Sequence, residues 1–446
     1  MITISEPMIL VDKFWNTKEY HKIGVFRLMS YIMRVDYENE VYLLNIVTGQ
    51  LVRLSRDETE LVESLPADYS PIMDTLIKNY YIVPIEFDEH QKVVGIRELL
   101  RKMEDAKRGS AINVFTILPT TACNARCWYC FEHGIEPVSM SEQTADDVIE
   151  FIKNNSKGQK VFLRWFGGEP TVASARIDQI SLGLKRNGVS FTSRMTTNGY
   201  LFDETMINRA KELWNLNSVR ITLDGTEKNY NRIKSYVNSK DNPYRRVMRN
   251  IALFIENGIT VELRLNFDKS NYADFYELLE SLEPQYRDNH LLKFFAHQIN
   301  DYTREIDENE SANIESWFND KIAEFNNLSR AKGMLSESDR LPSLNFFRCD
   351  AAKKNAITIT PEGNLVNCPE KIQPELFVGS IKSGIVNEEL AQSWRKAADY
   401  DKCNKCVLFP KCVRFERCSG KDKCYLLKDY LSQYHEAVIK TICNQM

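Results

Sequence analysis

The chain has 446 residues, 43% of them hydrophobic, and a formal net charge of −4. That length allows about two to four domains with packed cores, and the near-neutral charge argues against a general nucleic-acid binder. No run approaches the ~18 apolar residues of a membrane span, and the start lacks the charged-then-apolar pattern of a secretion signal. A cytoplasmic protein is therefore expected, with neither nucleic acid nor membrane as partner.

The first part of the chain, 1–95, has no cysteine. Alternation over Val41–Asn45, a Thr48-Gly49 turn and the run Gln50–Leu54 predict a hairpin. Ser55 can cap a following helix to Leu65, and a second helix near Ile72–Tyr80 precedes a short strand at Tyr81–Pro84. A hairpin with short helices suggests a small winged-helix-like module. The charged stretch Glu86–Lys107 is expected to be a helix, its later part (96–110) serving as linker.

From 111 to 335 strands and helices alternate. Strands are expected at 112–118, 161–166, 190–196, 218–223, 260–267 and 292–299, with helices at 141–155, 175–187, 203–214, 243–257, 272–281 and 311–331. Six βα units imply an α/β fold with a parallel sheet and helices outside, here an open, partial (β/α)6 barrel. Functional loops then belong at the carboxyl ends of the strands. The remainder, 336–446, is rich in cysteine, and Ile357–Val366 reads as a hairpin turning at Pro361-Glu362-Gly363-Asn364.

Eleven cysteines in a cytosolic chain point to metal or redox use rather than disulfides. Cys123, Cys127 and Cys130 form a C-x3-C-x2-C group directly after the first barrel strand. Three thiolates on a tight loop can hold three irons of a cubane cluster and leave the fourth iron open to a small molecule. A structural zinc site is the competing expectation, though zinc usually takes four ligands in two knuckles. One βα unit later comes Trp165-Phe166-Gly167-Gly168-Glu169-Pro170, whose glycines let backbone approach a ligand and whose carboxylate could meet an ammonium group. Thr196–Gly199, Thr222–Gly225 and Arg264–Phe267 end the next three strands.

The cysteine loop and the strand ends resemble the radical S-adenosylmethionine (radical SAM) superfamily. The resemblance implies that the open iron binds S-adenosyl-L-methionine (SAM) and that the reduced cluster cleaves it to a 5′-deoxyadenosyl radical. It implies SAM contacts from Tyr129 to the adenine, from Gly167, Gly168 and Glu169 to the amino group, from Asn198 and Thr222 in the pocket wall, and from Asn266 to the ribose. Where many relatives place an arginine at the SAM carboxylate this chain has Lys234, with Arg232 close by.

Cys349, Cys368, Cys403, Cys406, Cys412, Cys418 and Cys424 resemble the SPASM domain, which carries two auxiliary 4Fe–4S clusters. By order, Cys349, Cys368 and Cys418 would hold the first, and Cys403, Cys406, Cys412 and Cys424 the second. Zinc knuckles are the alternative, and Cys443 is expected to be a free thiol. With an N-terminal module before such a core, the chain resembles maturases of ribosomally made peptides. The resemblance implies three 4Fe–4S clusters, a precursor peptide whose leader binds the N-terminal module, an electron donor such as flavodoxin or ferredoxin, and formation of a thioether or carbon–carbon crosslink. An anaerobic sulfatase-maturating, formylglycine-generating enzyme is one alternative, and a non-catalytic peptide-binding protein is another.

Overall fold

The computed structural model describes residues 15, 23–239, 241–299, 308–334, 349–396, 403–404, 406–412, 435, 438–439 and 442–443. Cys418 and Cys424 lie outside the described residues.

The N-terminal part contains two small antiparallel sheets. Strand β1 (Val25–Leu28) begins one of them. β2 (Ile32–Tyr37), β3 (Glu40–Asn45) and β4 (Leu51–Arg53) form the other, in the order β2-β3-β4. The expected hairpin is β3–β4, with Leu43 opposite Val52, and β2 adds a strand that the sequence reading did not separate. The helix Arg56–Ser64 starts with a capping box between Ser55 and Glu58. β5 (Ala67–Asp68) and β6 (Ile82–Pro84) flank β1. The expected helix near 72–80 is shorter, Asp74–Lys78, preceded by a 3-10 turn at Pro71–Met73.

The helix Glu89–Arg108 does more than connect. Its Val93 and Ile96 are buried in the same core as Trp15, Tyr31, Leu43 and Tyr80. Phe409, from the cysteine-rich C-terminal part, is buried in that core as well. Its ring stands 4.2 Å from His90, and Arg97 donates hydrogen bonds to the carbonyls of Phe409 and Cys412. Val438 and Ile442 cover the other face of β3, against Leu44 and Ile46.

Six parallel strands follow, β7 (Val114–Thr120), β8 (Val161–Gly167), β9 (Phe191–Thr197), β10 (Leu216–Leu223), β11 (Thr260–Phe267) and β12 (Leu292–Gln298). They pair in chain order, so each crossover helix lies over the same outer face. Alternation decides the faces: on β10, Val219, Ile221 and Leu223 are buried against the helices, while Arg220 and Thr222 face the concave side. The helix Glu227–Lys234, not expected from periodicity, sits between β10 and the helix Pro243–Glu256.

The hairpin of the cysteine-rich region continues this sheet. β13 (Ala356–Ile359) pairs parallel to β7, and β14 (Asn364–Val366) turns back on it. The barrel is therefore extended at its first strand and stays unclosed, with β12 at the far edge. Among the described residues, no helix is long and apolar enough to cross a membrane.

Phe409→Ala should destabilise the protein by about 3–5 kcal/mol, as for other buried aromatic truncations. Denaturant unfolding under anaerobic conditions measures this, and an unchanged midpoint would show that the two parts are not coupled through this ring.

Candidate functional site

The site is assembled at the carboxyl ends of β7 to β11. The cysteine loop leaves β7 at Thr120 and is pinned at both ends. Thr120 Oγ1 donates to the Val138 carbonyl at 2.9 Å, and Thr121 N donates to the same carbonyl. At its centre, Arg126 N donates to the carbonyl of Lys234 at 2.9 Å. A Cβ on Gly168 would collide with the carbonyls of Thr121 and Ala122, and one on Gly167 with that of Thr120. Gly167 also has φ +117°, a conformation open chiefly to glycine. These two positions let the end of β8 lie against the cysteine loop, and Glu169 N donates to the Ala122 carbonyl at 2.9 Å.

Glu169 is buried, and its carboxylate is crowded with donors. It accepts from Thr171 Oγ1 at 2.5 Å, Thr197 Oγ1 at 2.7 Å and the Asn198 amide at 2.7 Å. Burial still holds its pKa above the usual range, against the pull of those donors. The carboxylate thus ties β8 to the end of β9. Asn198 carries the tie onward, donating from Nδ2 to Asn124 Oδ1 on the cysteine loop at 2.7 Å.

A second buried network joins the loop to β10 and β11. Tyr129 donates to Asp224 Oδ1 at 2.6 Å and accepts from Asn266 Nδ2 at 3.1 Å and Lys234 Nζ at 3.3 Å. Lys234 Nζ stands 3.0 Å from Asp224 Oδ2, and both side chains are almost fully buried. Burial works against the Lys234 ammonium, yet Asp224 holds its pKa well above that of an ordinary lysine. Thr222 lies beside Arg264 on the concave side. All eight residues expected around SAM therefore converge on one end of the barrel. Asp224, their central anion, was visible only as part of a strand-end motif. No sequence signal marked its pairing with Lys234.

The three thiols are partly buried on the loop. Burial pushes Cys123 up to about 12 and Cys130 up to about 11, and it raises Cys127 as well. Deprotonation to a metal-bound thiolate would thus release a proton from each. Among the described residues, no three His, Cys, Asp or Glu side chains gather where one metal ion could bind them. Thiolates that each serve a different iron of a cubane need not share such a point. Asn266 Oδ1 and Asn124 Nδ2 are buried without a hydrogen-bond partner, and such atoms beside the loop suit a polar ligand. Loop, glycine cradle and unsatisfied amides together fit a cluster with bound SAM.

Of the C-terminal cysteines, Cys349 opens the turn Asp350–Ala352, and Cys368 packs near Ala351, Ala352 and Trp394. Cys403, Cys406 and Cys412 lie on a run of tight turns, with Cys406 N donating to the Cys403 carbonyl and Cys412 N to that of Phe409. Cys443 Sγ is 3.5 Å from the Tyr37 hydroxyl.

Residues 117–282 match the Radical SAM superfamily. This chain carries a radical SAM domain. A domain of this type takes SAM and a 4Fe–4S cluster as cofactors. A probable GTP 3′,8-cyclase of Methanococcus maripaludis is 28% identical over 166 residues, 37% of this chain and 52% of that protein. That match spans about half of the relative's length. A GTP 3′,8-cyclase of Clostridium perfringens is 24% identical over 315 residues, 67% of this chain and 93% of that protein. The solved structure of anSMEcpe with bound AdoMet and Cp18Cys peptide superposes with a TM-score of 0.55 at 15% identity, covering 74% of this chain and 99% of that one. The fold of the radical SAM core is common to both.

Lys234→Met would leave Asp224 as an uncompensated buried charge and should destabilise the protein by about 3–5 kcal/mol. Adding Asp224→Asn should recover part of that loss, a coupling that a double-mutant cycle on denaturant unfolding reads directly. Simple additivity of the two changes would mean the pair does not act as a unit.

Proposed function

We propose that this protein is a radical SAM maturase of a ribosomally made precursor peptide. Its N-terminal module would hold the leader, and the barrel would modify a core residue to form a thioether or carbon–carbon crosslink. The observation that carries the peptide half is the sheet β2-β3-β4. Among the described strands it has free edges at β2 and β4, and a free edge can take an extended peptide as an added strand. The peptide bound to anSMEcpe, a protein of like fold, is in keeping with this.

In the barrel, Cys123, Cys127 and Cys130 would hold the cluster. Asn266 and Tyr129 would line the nucleoside part of SAM, and the backbone of Gly167 to Glu169 its methionine part. When bound, the cluster and SAM supply a radical able to take hydrogen from an unactivated C–H. The chain's own contribution is position. The Glu169 tie and the Asp224–Lys234–Tyr129 network keep the strand ends from shifting, and the glycine cradle brings backbone amides and carbonyls against the ligand. Lys234, already paired with Asp224, would lend residual positive charge near the SAM carboxylate. Cys349, Cys368 and Cys418, and then Cys403, Cys406, Cys412 and Cys424, would hold two auxiliary clusters that pass on the leftover electron. A flavodoxin or ferredoxin would supply the first one.

A second function, cyclisation of a nucleotide, is favoured by the match to the Clostridium perfringens cyclase, which spans 93% of that protein. Anaerobic reaction with SAM, a reductant and either a short peptide encoded beside the gene or GTP, followed by mass spectrometry, separates the two. A mass loss in the peptide supports the maturase, and conversion of GTP alone refutes it.

Anaerobic reconstitution should give about twelve irons per chain, from three four-iron clusters. Cys127→Ala should abolish release of 5′-deoxyadenosine, while Cys406→Ala leaves it measurable and blocks product. About four irons, with Cys406→Ala fully active, would remove the auxiliary clusters from the assignment.

The module's role is checked on β4. Leu54 N donates inward to the Val41 carbonyl, so the Arg53 N–H points away from β3. Arg53→Pro should weaken binding of a labelled leader at least about tenfold by fluorescence anisotropy. Unchanged affinity in a folded variant would sink leader recognition at this edge.

A further inference from the structure

The side chain of Asn124 lies between Cys123 and the end of β9, and its amide is held in one orientation. The fixed point is the Tyr200 backbone N–H, which can only donate and meets Asn198 Oδ1 at 3.0 Å. Asn198 then presents Nδ2 to the cysteine loop, where it donates to Asn124 Oδ1 at 2.7 Å. An Asn whose oxygen is engaged in this way turns its own Nδ2 to the other side. Asn124 Nδ2 is buried and has no hydrogen-bond partner among the described residues. The backbone beneath it is fixed as well, because the Val237 N–H donates to the Asn124 carbonyl at 2.8 Å. A buried N–H left unpaired is unfavourable, and an acceptor brought by a ligand relieves it.

Position identifies the acceptor. Cys123 Sγ is 3.9 Å from Asn124 Oδ1. The O and N of one amide stand ~2.2 Å apart, so Nδ2 is within about 6 Å of that sulfur. Asn198, to which the amide is tied, donates its backbone N–H to Glu169 Oε2 at 2.7 Å, and Glu169 N donates to the Ala122 carbonyl. Asn124 therefore belongs to the β8–β9 side of the site, where residues 167–169 would meet the methionine part of SAM. Tyr129 and Asn266, which would line the nucleoside, are bonded together on the β10–β11 side. The methionine part carries an amino group, a sulfonium and a carboxylate. Of these only the carboxylate accepts from several donors at once. Lys234, in the place where many relatives have an arginine for that carboxylate, already meets Asp224 Oδ2 at 3.0 Å and the Tyr129 hydroxyl at 3.3 Å. An arginine would offer a fork of two N–H groups. An ammonium engaged twice has one left, so the carboxylate needs a further donor.

We propose that Asn124 is a SAM-binding residue whose Nδ2 donates to the methionine carboxylate, as the neutral half of a carboxylate site whose charged half is Lys234. Asn198 is its positioning residue and keeps the amide turned toward the ligand. The assignment rests on the SAM site and not on the peptide-maturase function.

Equilibrium dialysis of SAM and of decarboxylated SAM into the full-length, anaerobically reconstituted, unreduced enzyme tests this without turnover. The two ligands differ only in the carboxylate. Asn124→Asp keeps the oxygen that Asn198 meets, lacks the N–H and adds a negative charge. It should weaken SAM at least about tenfold and leave decarboxylated SAM no weaker than with the wild type. Asn124→Ala brings no charge near the cluster and should weaken SAM at least about threefold, with decarboxylated SAM unchanged. Iron content checks that the clusters are held, and the Ala variant decides if the Asp variant alone loses iron. Loss of iron in both assigns Asn124 to the folding of the loop and overturns the proposal. Unchanged SAM affinity overturns it, and so does an equal loss for both ligands. Unchanged affinity with a shifted midpoint potential of the first cluster gives the amide to a cluster sulfur instead. No peptide and no GTP enters the measurement. Failure of the maturase function therefore leaves this assignment standing, and failure here leaves the maturase.

Discussion

The buried carboxylate of Glu169 is the tie on which the site depends. An ionised carboxylate out of water is strongly unfavourable unless hydrogen-bonded donors surround it. Here the donors come from Thr171, Thr197 and the Asn198 amide, so the charge can be buried only if β8 and β9 end at the same level. Gly167 and Gly168 bring the same turn against the cysteine loop, where any side chain would collide with carbonyls. Loop, second strand and third strand are thereby locked before any ligand arrives. Such preorganisation suits a radical, since small displacements of the reacting atoms change which hydrogen is nearest.

The Asp224–Lys234 pair does the same on the other side. Its net contribution to stability need not be large, because desolvation offsets attraction. Its geometric effect is clear. It connects the end of β10 to the helix Glu227–Lys234 and, through Tyr129, to the cysteine loop. Every residue expected around SAM is held by one of these two networks, by the sheet register or, at Gly168, by its backbone bond to Thr120. Below them the concave face carries Arg164, Arg194, Arg220 and Arg264, so its upper and lower layers differ in kind.

The N-terminal module and part of the cysteine-rich region meet in one core. Phe409 sits among N-terminal aromatic residues, and Arg97 donates to carbonyls on the turns that carry Cys403, Cys406 and Cys412. The N-terminal sheet and the cysteine-rich turns therefore share a core. The proposed peptide edge at β4 and the turns that carry Cys403 and Cys406 are then parts of one packed unit.

The βα alternation, the placement of the cysteine loop after β7 and the strand-end motifs could be read from the sequence, because each is local. Period-2 and period-3.6 patterns declare strands and helices, and a cluster loop needs only short spacing. The β3–β4 hairpin and the Ser55 cap were legible for the same reason. The sequence did not show that Ile357–Val366 extends the barrel sheet beside β7, that Asp224 and Lys234 neutralise each other, or that Phe409 completes an N-terminal core. Those contacts join residues far apart in the chain, and nothing in a local pattern says which distant partner a strand, a charge or an aromatic ring will find. The four arginines illustrate the boundary. Each is the single arginine of its strand, and Arg164, Arg220 and Arg264 stand between apolar neighbours. Only the shared face and parallel register of β8 to β11 turned four separate charges into one row, because adjacency across a sheet is set by tertiary packing rather than by sequence spacing.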